Sequence, residues 1–164
     1  MTKRKLILVD VDDTLLAYSG LYITWLLSQT KYDVDTYKPD TWFQVEYIED
    51  FNKNHLTIRR PINEGVMDFI KLVNNDYDIE FLSSCGVEQH NFQKKCLEQA
   101  LYNKNIPIVL TCLPLRADKF DIIKKRKPCL ILDDKRDFVE KCNAKGFKAT
   151  YSRDFKELIK ILKS

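Results

Sequence analysis

Histidine, glycine and paired cysteines are scarce in this chain, and each scarcity argues against a class of protein. The 164 residues include only two histidines, His55 and His90, so a histidine-based metal site has almost no ligands to draw on, and both are expected at the surface or as caps. The five cysteines are scattered without a C-x-x-C pair, which argues against a disulfide framework or zinc site and favours a reducing compartment. At 164 residues, with four glycines and no Gly/Ser linker, the chain has the length expected of one domain.

Long apolar runs are missing as well. The basic start Lys3-Arg4-Lys5 is followed only by the short run Leu6–Val9 before Asp10, which is too short for the core of a signal peptide. No stretch approaches the length of a membrane span. The net charge of +3 is too small to argue for nucleic-acid binding by itself. We therefore expect a cytoplasmic protein without membrane contact.

Short apolar runs alternate with helical patterns along most of the chain. Each run is continuously apolar, as expected for strands that are covered on both faces. Four such runs predict strands: Leu6–Val9, Ile79–Leu82, Ile106–Leu110 and Cys129–Leu132. Lys148–Tyr151, after the turn at Gly146, is predicted as a fifth short strand. The predicted helices are Glu64–Val73, Gln89–Tyr102, Arg136–Ala144 and Phe155–Leu162. This alternation predicts an α/β fold, a Rossmann-like doubly wound parallel sheet.

One insertion interrupts the alternation. More than forty residues without a strand follow the first run, and they include the apolar stretch Leu15–Leu27 and the aromatic stretch Thr41–Phe51. We interpret residues 16–63 as a small helical cap, with residues 1–15 and 64–164 forming the α/β core. The alternative is an extra pair of helices that completes the core.

Three aspartates stand at the end of the first apolar run, in the stretch LILVDVDDTL. Asp10, Asp12 and Asp13 carry adjacent negative charges, which repel unless a cation lies among them or water surrounds them. Ligands of an open parallel sheet bind at the carboxyl ends of its strands. The same edge is expected to receive Ser84, Lys119 and the pair Asp133–Asp134. Hard oxygen ligands of this kind suit Mg²⁺, which would cancel the repulsion.

These residue types predict phosphoryl transfer through a carboxylate nucleophile. Asp10 is predicted to attack phosphorus, and Asp12, two residues along an extended chain, to give a proton to the leaving oxygen. Lys119 and the Ser84 hydroxyl would hold the negative charge of the phosphate.

Plainer interpretations stand beside these roles. Asp13 and Thr14, taken alone, are equally well explained as caps of the following helix. Ser83 and Ser84 are alternatively turn formers before Gly86. The pair Asp133–Asp134 is alternatively a loop after a strand or an N-cap.

Four motifs in order resemble those of the haloacid dehalogenase-like (HAD) phosphohydrolases. The stretch LILVDVDDTL resembles their first motif, IEFLSSC the second, Lys119 the third and CLILDDK the acidic fourth. The resemblance implies Asp10 as nucleophile and Asp12 as general acid/base. It also implies Mg²⁺ held by the Asp10 side chain, the Asp12 backbone carbonyl and a fourth-motif aspartate, Asp134 rather than Asp133.

Within that superfamily the chain is most similar to the 5'(3')-deoxyribonucleotidases. The insertion lies where those enzymes carry a small helical cap, and RRPINEGVMDFIKLV resembles their return segment from cap to core. FLSSCG resembles a strand ending in Thr-Ser, which implies phosphate binding by Ser84 with Cys85 as its neighbour. Asp13 departs from the family, which usually has glycine there.

We therefore predict a Mg²⁺-dependent phosphatase of small phosphomonoesters, with a nucleoside monophosphate as the leading substrate. Trp42, Phe43 and Tyr47 are candidates for a base-stacking pocket, with plain hydrophobic core as the alternative. A polynucleotide 3'-phosphatase is one rival. The other is a catalytically silent module that binds nucleic acid through Lys3–Lys5, Lys124–Lys127 and the basic C-terminal helix. The oligomeric state is left open, a dimer included.

Overall fold

A five-stranded parallel sheet forms the centre of the protein. The computed structural model describes residues 4–54 and 60–154, together with residues 157, 158 and 160. The strands are β1 (Lys5–Asp10), β2 (Tyr77–Ser83), β3 (Leu110–Cys112), β4 (Leu130–Asp133) and β5 (Ala149–Tyr151). They lie in the order β3-β2-β1-β4-β5, so the direction of winding reverses beside β1. In such sheets the reversal leaves a crevice at the carboxyl ends of the two strands, here β1 and β4.

Six α-helices accompany the sheet among the described residues. They are α1 (Ser19–Ser28), α2 (Val45–Asn54), α3 (Glu64–Val73), α4 (His90–Ala100), α5 (Phe120–Arg126) and α6 (Arg136–Ala144). Local capping explains two of their starts. The Asn63 side chain accepts a hydrogen bond from the Val66 amide at α3, and the Asp118 carboxylate accepts one from the Phe120 amide at α5.

Both faces of the sheet are buried, and this explains why its strands appear in the sequence as short apolar runs. Ile7 and Val9 of β1 face a cluster that includes α3 and α4. Leu8, between them, faces a second cluster that includes α5 and α6. Alternate side chains of one strand therefore enter two separate cores, as period-two geometry requires.

The helices α1 and α2 form a separate layer that we call the helical insertion. Its buried side chains, Tyr22, Leu26, Tyr47, Ile48 and Phe51, pack with one another and with surrounding aromatic rings rather than with the sheet. The chain leaves the core at Leu16 and returns at Ile62, where the two residues form an antiparallel bridge. The division of the chain at residues 16–63 stays a prediction.

The predicted fold class is confirmed, and most elements lie where the sequence places them. The third strand is the exception: it is Leu110–Cys112, not Ile106–Leu110. Ile106 is buried in the core but belongs to no strand. Its apolar side chain is therefore explained by burial and not by pairing with a neighbouring strand. The prediction of a helix over Phe155–Leu162 falls partly on residues outside the described part, as do His55 and Lys3. Among the described helices, none is long and apolar enough to cross a membrane.

Candidate active site

Three carboxylates meet at the carboxyl ends of β1 and β4. Asp10 is the last residue of β1, Asp133 is the last of β4, and Asp134 follows it. One carboxylate oxygen from each lies within 4.8 Å of one from each of the others. The strand ends thus converge as the parallel sheet requires. The carboxylates that lie together are those of Asp10, Asp133 and Asp134, whereas the sequence predicted repulsion among Asp10, Asp12 and Asp13.

Lys119 lies among these carboxylates at the start of α5. Its Nζ is 2.6 Å from Asp10 Oδ1 and 2.8 Å from Asp133 Oδ2. Burial opposes the charge of Lys119, but the two carboxylates outweigh it and hold the Lys119 pKa above its usual range. One ammonium group therefore balances part of the negative charge of three carboxylates.

Two of the three carboxylates, Asp10 and Asp134, have raised pKa values. Burial raises the pKa of Asp10 to about 7, against the lowering effect of Lys119. Burial, followed by the charges of Asp133 and Asp13, raises the pKa of Asp134 to about 6. Both carboxylates would ionise more readily if a further cation lay beside them.

The donor set fits Mg²⁺. Its atoms are hard carboxylate oxygens, and the cluster carries more negative than positive charge. Asp133 is already engaged, because Oδ2 contacts Lys119 and Oδ1 accepts a hydrogen bond from the Lys135 amide at 2.9 Å. Asp134 is half-buried and lines the cavity. Asp10 and Asp134 are therefore the side chains best able to hold the ion.

Asp13 and Thr14 have different roles. Asp13 has a φ of 61°, in the left-handed region that favours glycine. Its carboxylate accepts hydrogen bonds from the Tyr18 and Ser19 amides at 2.9 Å, so it caps the start of α1. Thr14 does not cap: it is buried, and its hydroxyl donates to Asp10 Oδ2 at 2.9 Å. The capping interpretation is thus wrong for Thr14, because the turn after β1 directs its side chain back towards the strand end.

Asp12 is held by three side chains. Arg60 Nη1 lies 2.5 Å from Asp12 Oδ1, and Gln93 Nε2 lies 3.0 and 2.9 Å from the two carboxylate oxygens. The Ser83 hydroxyl donates to Oδ2 at 3.3 Å. The Asp12 side chain is 22% exposed, and it lines the same cavity as Asp10. Asp10 and Asp12 therefore share a cavity but not their partners.

Arg60 was not identified from the sequence as a site residue. Its side chain is only 4% exposed, and its guanidinium lies 4.9 Å from the ring centre of Tyr18 and 5.0 Å from that of Phe92. It lies where the helical insertion returns to the core. The sequence contains a positive charge at this point, in the return segment RRPINEG. Only the tertiary structure shows that the Arg60 side chain contacts Asp12.

A cavity of about 360 Å³ lies above the strand ends. From the core it is lined by Ser84, Cys85 and Lys119 as well as the aspartates. The Ser84 hydroxyl donates to the Ala117 carbonyl at 3.1 Å. The residues expected to bind phosphate therefore surround one space; their role there stays a prediction.

The helical insertion and the loop after β3 supply the other walls. Phe43, Ile48 and Asn52 line the cavity from the insertion, and Arg116 lines it from the loop. An Arg116 Nη2 group donates to the Phe43 carbonyl, which joins the two walls.

Two of the three candidate aromatic residues lie elsewhere. Tyr47 is buried, with its ring centre 4.3 Å from that of Tyr32. The Trp42 ring packs against the insertion's own cluster, and its Nε1 donates to the Asp35 carbonyl at 2.9 Å. The stacking prediction is therefore corrected for Trp42 and Tyr47, which the insertion uses as its core, and stays a prediction for Phe43.

Comparison with known proteins identifies the fold. No protein-family model matches the chain, and no curated protein matches it in sequence. Among solved structures, it is similar to a haloacid dehalogenase-like family hydrolase from Xanthomonas campestris, with a TM-score of 0.55 and 14% identity over 90% of this chain and 82% of that chain. The protein therefore has the HAD-like α/β fold. The similarity at this level of identity concerns the fold alone.

The raised pKa values predict how stability depends on pH. Asp10 and Asp134 bind protons more tightly in the folded protein than in the unfolded chain, where each pKa is near 3.8. Without divalent cations, their joint contribution to the free energy of unfolding should fall by about 4 kcal/mol between pH 5 and pH 8. Urea unfolding at a series of pH values measures it. Mg²⁺ should restore stability at pH 8, because it replaces the lost protons.

The matched variants for this experiment are Asp134→Asn and Asp68→Asn. Asp134→Asn should flatten the pH dependence and reduce the stabilisation by Mg²⁺. Asp68 is exposed on α3, away from the cluster, so its replacement should leave both unchanged. Equal pH profiles for Asp134→Asn and the wild type would contradict the charge assignment.

Arg60 gives a second prediction. Arg60→Met leaves the Asp12 carboxylate without its cation and should lower the free energy of unfolding by about 3 kcal/mol. Asp12→Asn in the same chain should recover part of this loss, with a coupling energy of about 1 kcal/mol or more in a double-mutant cycle. Urea unfolding of the four proteins measures it, and additive effects would show that the pair contributes no stability.

Proposed function

We propose that this protein is a Mg²⁺-dependent phosphatase that hydrolyses a small phosphomonoester through an aspartyl-phosphate intermediate. The observation that carries the proposal is the Asp10 carboxylate, held between Lys119 and Thr14 in the wall of the cavity. A carboxylate fixed by two donors is oriented for attack, and the neighbouring ammonium group can stabilise charge on the phosphoryl oxygens.

In the first half of the reaction, an Asp10 oxygen attacks phosphorus and the bond to the leaving oxygen breaks. The leaving oxygen takes a proton, for which Asp12 is the proposed donor. In the second half, water attacks the aspartyl phosphate and gives its proton to Asp12, which releases inorganic phosphate and restores both residues.

In the present arrangement both Asp12 carboxylate oxygens accept hydrogen bonds from protein side chains. Arg60 pairs with Oδ1, and Gln93 Nε2 lies within hydrogen-bonding distance of both oxygens. The acid role in the first half requires Asp12 to turn away from Arg60 and towards the leaving oxygen. Asp12 is therefore proposed to alternate between the two sets of partners.

Asp10, Asp134 and the backbone carbonyl of Asp12 are the proposed Mg²⁺ ligands. The ion, when bound, would neutralise charge on the transferring phosphoryl group. Asp133 then serves to anchor Lys119.

The size and walls of the cavity support a small substrate. A volume of about 360 Å³ is at the low end of the range of small-molecule sites. Phe43 offers an aromatic ring and Asn52 an amide to a group beyond the phosphate. A nucleoside monophosphate is the leading substrate, with the helical insertion acting as the cap. The five free cysteines are consistent with a cytoplasmic protein.

The direct test replaces the nucleophile. With p-nitrophenyl phosphate and Mg²⁺, Asp10→Asn should lower kcat by about a thousandfold or more while the circular dichroism spectrum stays unchanged. EDTA should abolish wild-type activity, and excess Mg²⁺ should restore it. Near-normal turnover by Asp10→Asn would show that another group attacks phosphorus.

A substrate panel separates the rival functions. It contains deoxy- and ribonucleoside 3'- and 5'-monophosphates and 3'-phosphorylated oligonucleotides. The highest kcat/KM on an oligonucleotide would favour the polynucleotide 3'-phosphatase. Absence of turnover on every substrate, with salt-dependent binding of DNA or RNA, would favour the silent binding module.

Phe43 tests the proposed contact with the base. Phe43→Leu should raise KM for a nucleoside monophosphate about fivefold, because an aromatic contact is lost, and should leave KM for a ribose phosphate unchanged. Tyr37→Leu is the control, since Tyr37 is 93% exposed on the same insertion. An equal rise in KM for both substrates would show that Phe43 does not distinguish the base.

A further inference from the structure

Cys85 and Cys112 lie side by side at the wall of the cavity. Their sulfur atoms are 3.6 Å apart. Cys85 follows Ser84 in the turn after β2 and lines the cavity, whereas Cys112 is the last residue of β3 and is half-buried. No other two of the five free cysteines, all of which are described, lie within hydrogen-bonding distance through their sulfur atoms.

The backbone holds these two residues on neighbouring segments. Cys112 is in register with Ser83 across the β2–β3 ladder. The Leu113 amide donates to the Ser83 carbonyl at 2.7 Å, and the Gly86 amide donates to the Leu113 carbonyl at 3.0 Å. Cys85 lies two residues beyond Ser83, outside β2, and the hydrogen bonds of the turn bring it back beside Cys112. Joining the two sulfur atoms requires them to approach by about 1.5 Å.

The surroundings favour reaction at Cys85. The Cys112 thiol lies within hydrogen-bonding distance and holds the pKa of Cys85 below its ordinary value, although burial acts in the opposite direction. Cys112 keeps its proton, because the same contact raises its own pKa. The cavity gives a small reagent access to Cys85, and Cys112 is placed to complete the reaction.

We infer that Cys85 and Cys112 form a dithiol modification site that hydrogen peroxide converts into a disulfide, which inactivates the adjoining active site. The Cys85 sulfur attacks one peroxide oxygen, the O–O bond breaks, and hydroxide leaves and takes a proton to become water. The Cys112 sulfur then attacks the sulfenic sulfur of Cys85, the S–O bond breaks, and the hydroxyl leaves with the Cys112 proton as a second water. Two thiols are oxidised and one peroxide is reduced.

The disulfide would act through Ser84. Drawing Cys85 towards β3 displaces the turn that holds Ser84, and Gly86, with a φ of 103°, ends that turn in a conformation that other residues rarely adopt. The effect on catalysis rests on the proposed function, whereas formation of the disulfide does not.

The test exposes the reduced protein to hydrogen peroxide and maps its tryptic peptides. Cys85 lies in peptide 72–94 and Cys112 in peptide 105–116. The expected result is a cross-link between these two peptides, with two of the five thiols lost after denaturation. Reduction by dithiothreitol should reverse both changes. Retention of all five thiols, or a cross-link through any other cysteine, would overturn the inference.

Two variants and one assay complete the experiment. Cys112→Ser should keep the activity of the reduced enzyme and should accumulate a Cys85 sulfenic acid that dimedone traps. Cys129→Ser should cross-link like the wild type.

Oxidised wild type should lose phosphatase activity about tenfold or more, since displacement by an ångström is costly at a reacting centre. A cross-linked enzyme with full activity would overturn the inactivation. A reduced protein without phosphatase activity would count against the proposed function, while the peptide masses still decide the cross-link.

Discussion

The contact of Lys119 with Asp10 and Asp133 is the interaction on which the site depends. Parallel strands bring their last residues to one edge, and in this chain those residues are acidic. Without a buried cation, folding would place mutually repelling carboxylates in a region of low polarity. Lys119 offsets only part of that cost. The pKa values of Asp10 and Asp134 therefore stay raised, chiefly because both carboxylates are removed from water. The proposed divalent cation would relieve the same excess of negative charge.

A second ion pair, between Arg60 and Asp12, gives Asp12 surroundings different from those of Asp10. Asp10 contacts Lys119 and Thr14, whereas Asp12 contacts Arg60, Gln93 and Ser83. Residues two apart in sequence thus have environments supplied by different elements of the fold. Arg60 comes from the segment that returns from the helical insertion, so the position of the insertion and that of Asp12 are physically connected.

The helical insertion has its own small core, and this decides which of its residues reach the cavity. Aromatic side chains fill the space between α1 and α2, including Trp42 and Tyr47. Phe43 lines the cavity although its ring also lies 5.1 Å from that of Tyr22. Aromatic composition alone cannot separate these cases, because burial in a core and contact with a ligand both favour large rings.

The sequence by itself determined the fold class, the placement of most strands and helices, and the edge at which the acidic residues gather. It could do so because apolar runs and helical periodicity are local signals, and because parallel topology sends all strand ends to one side. Only the tertiary structure decided that Thr14 bonds to Asp10 instead of capping a helix, that Arg60 pairs with Asp12, and that Cys85 lies beside Cys112. Those contacts join residues whose approach depends on how separate elements pack, and no periodicity or spacing along the chain encodes that approach.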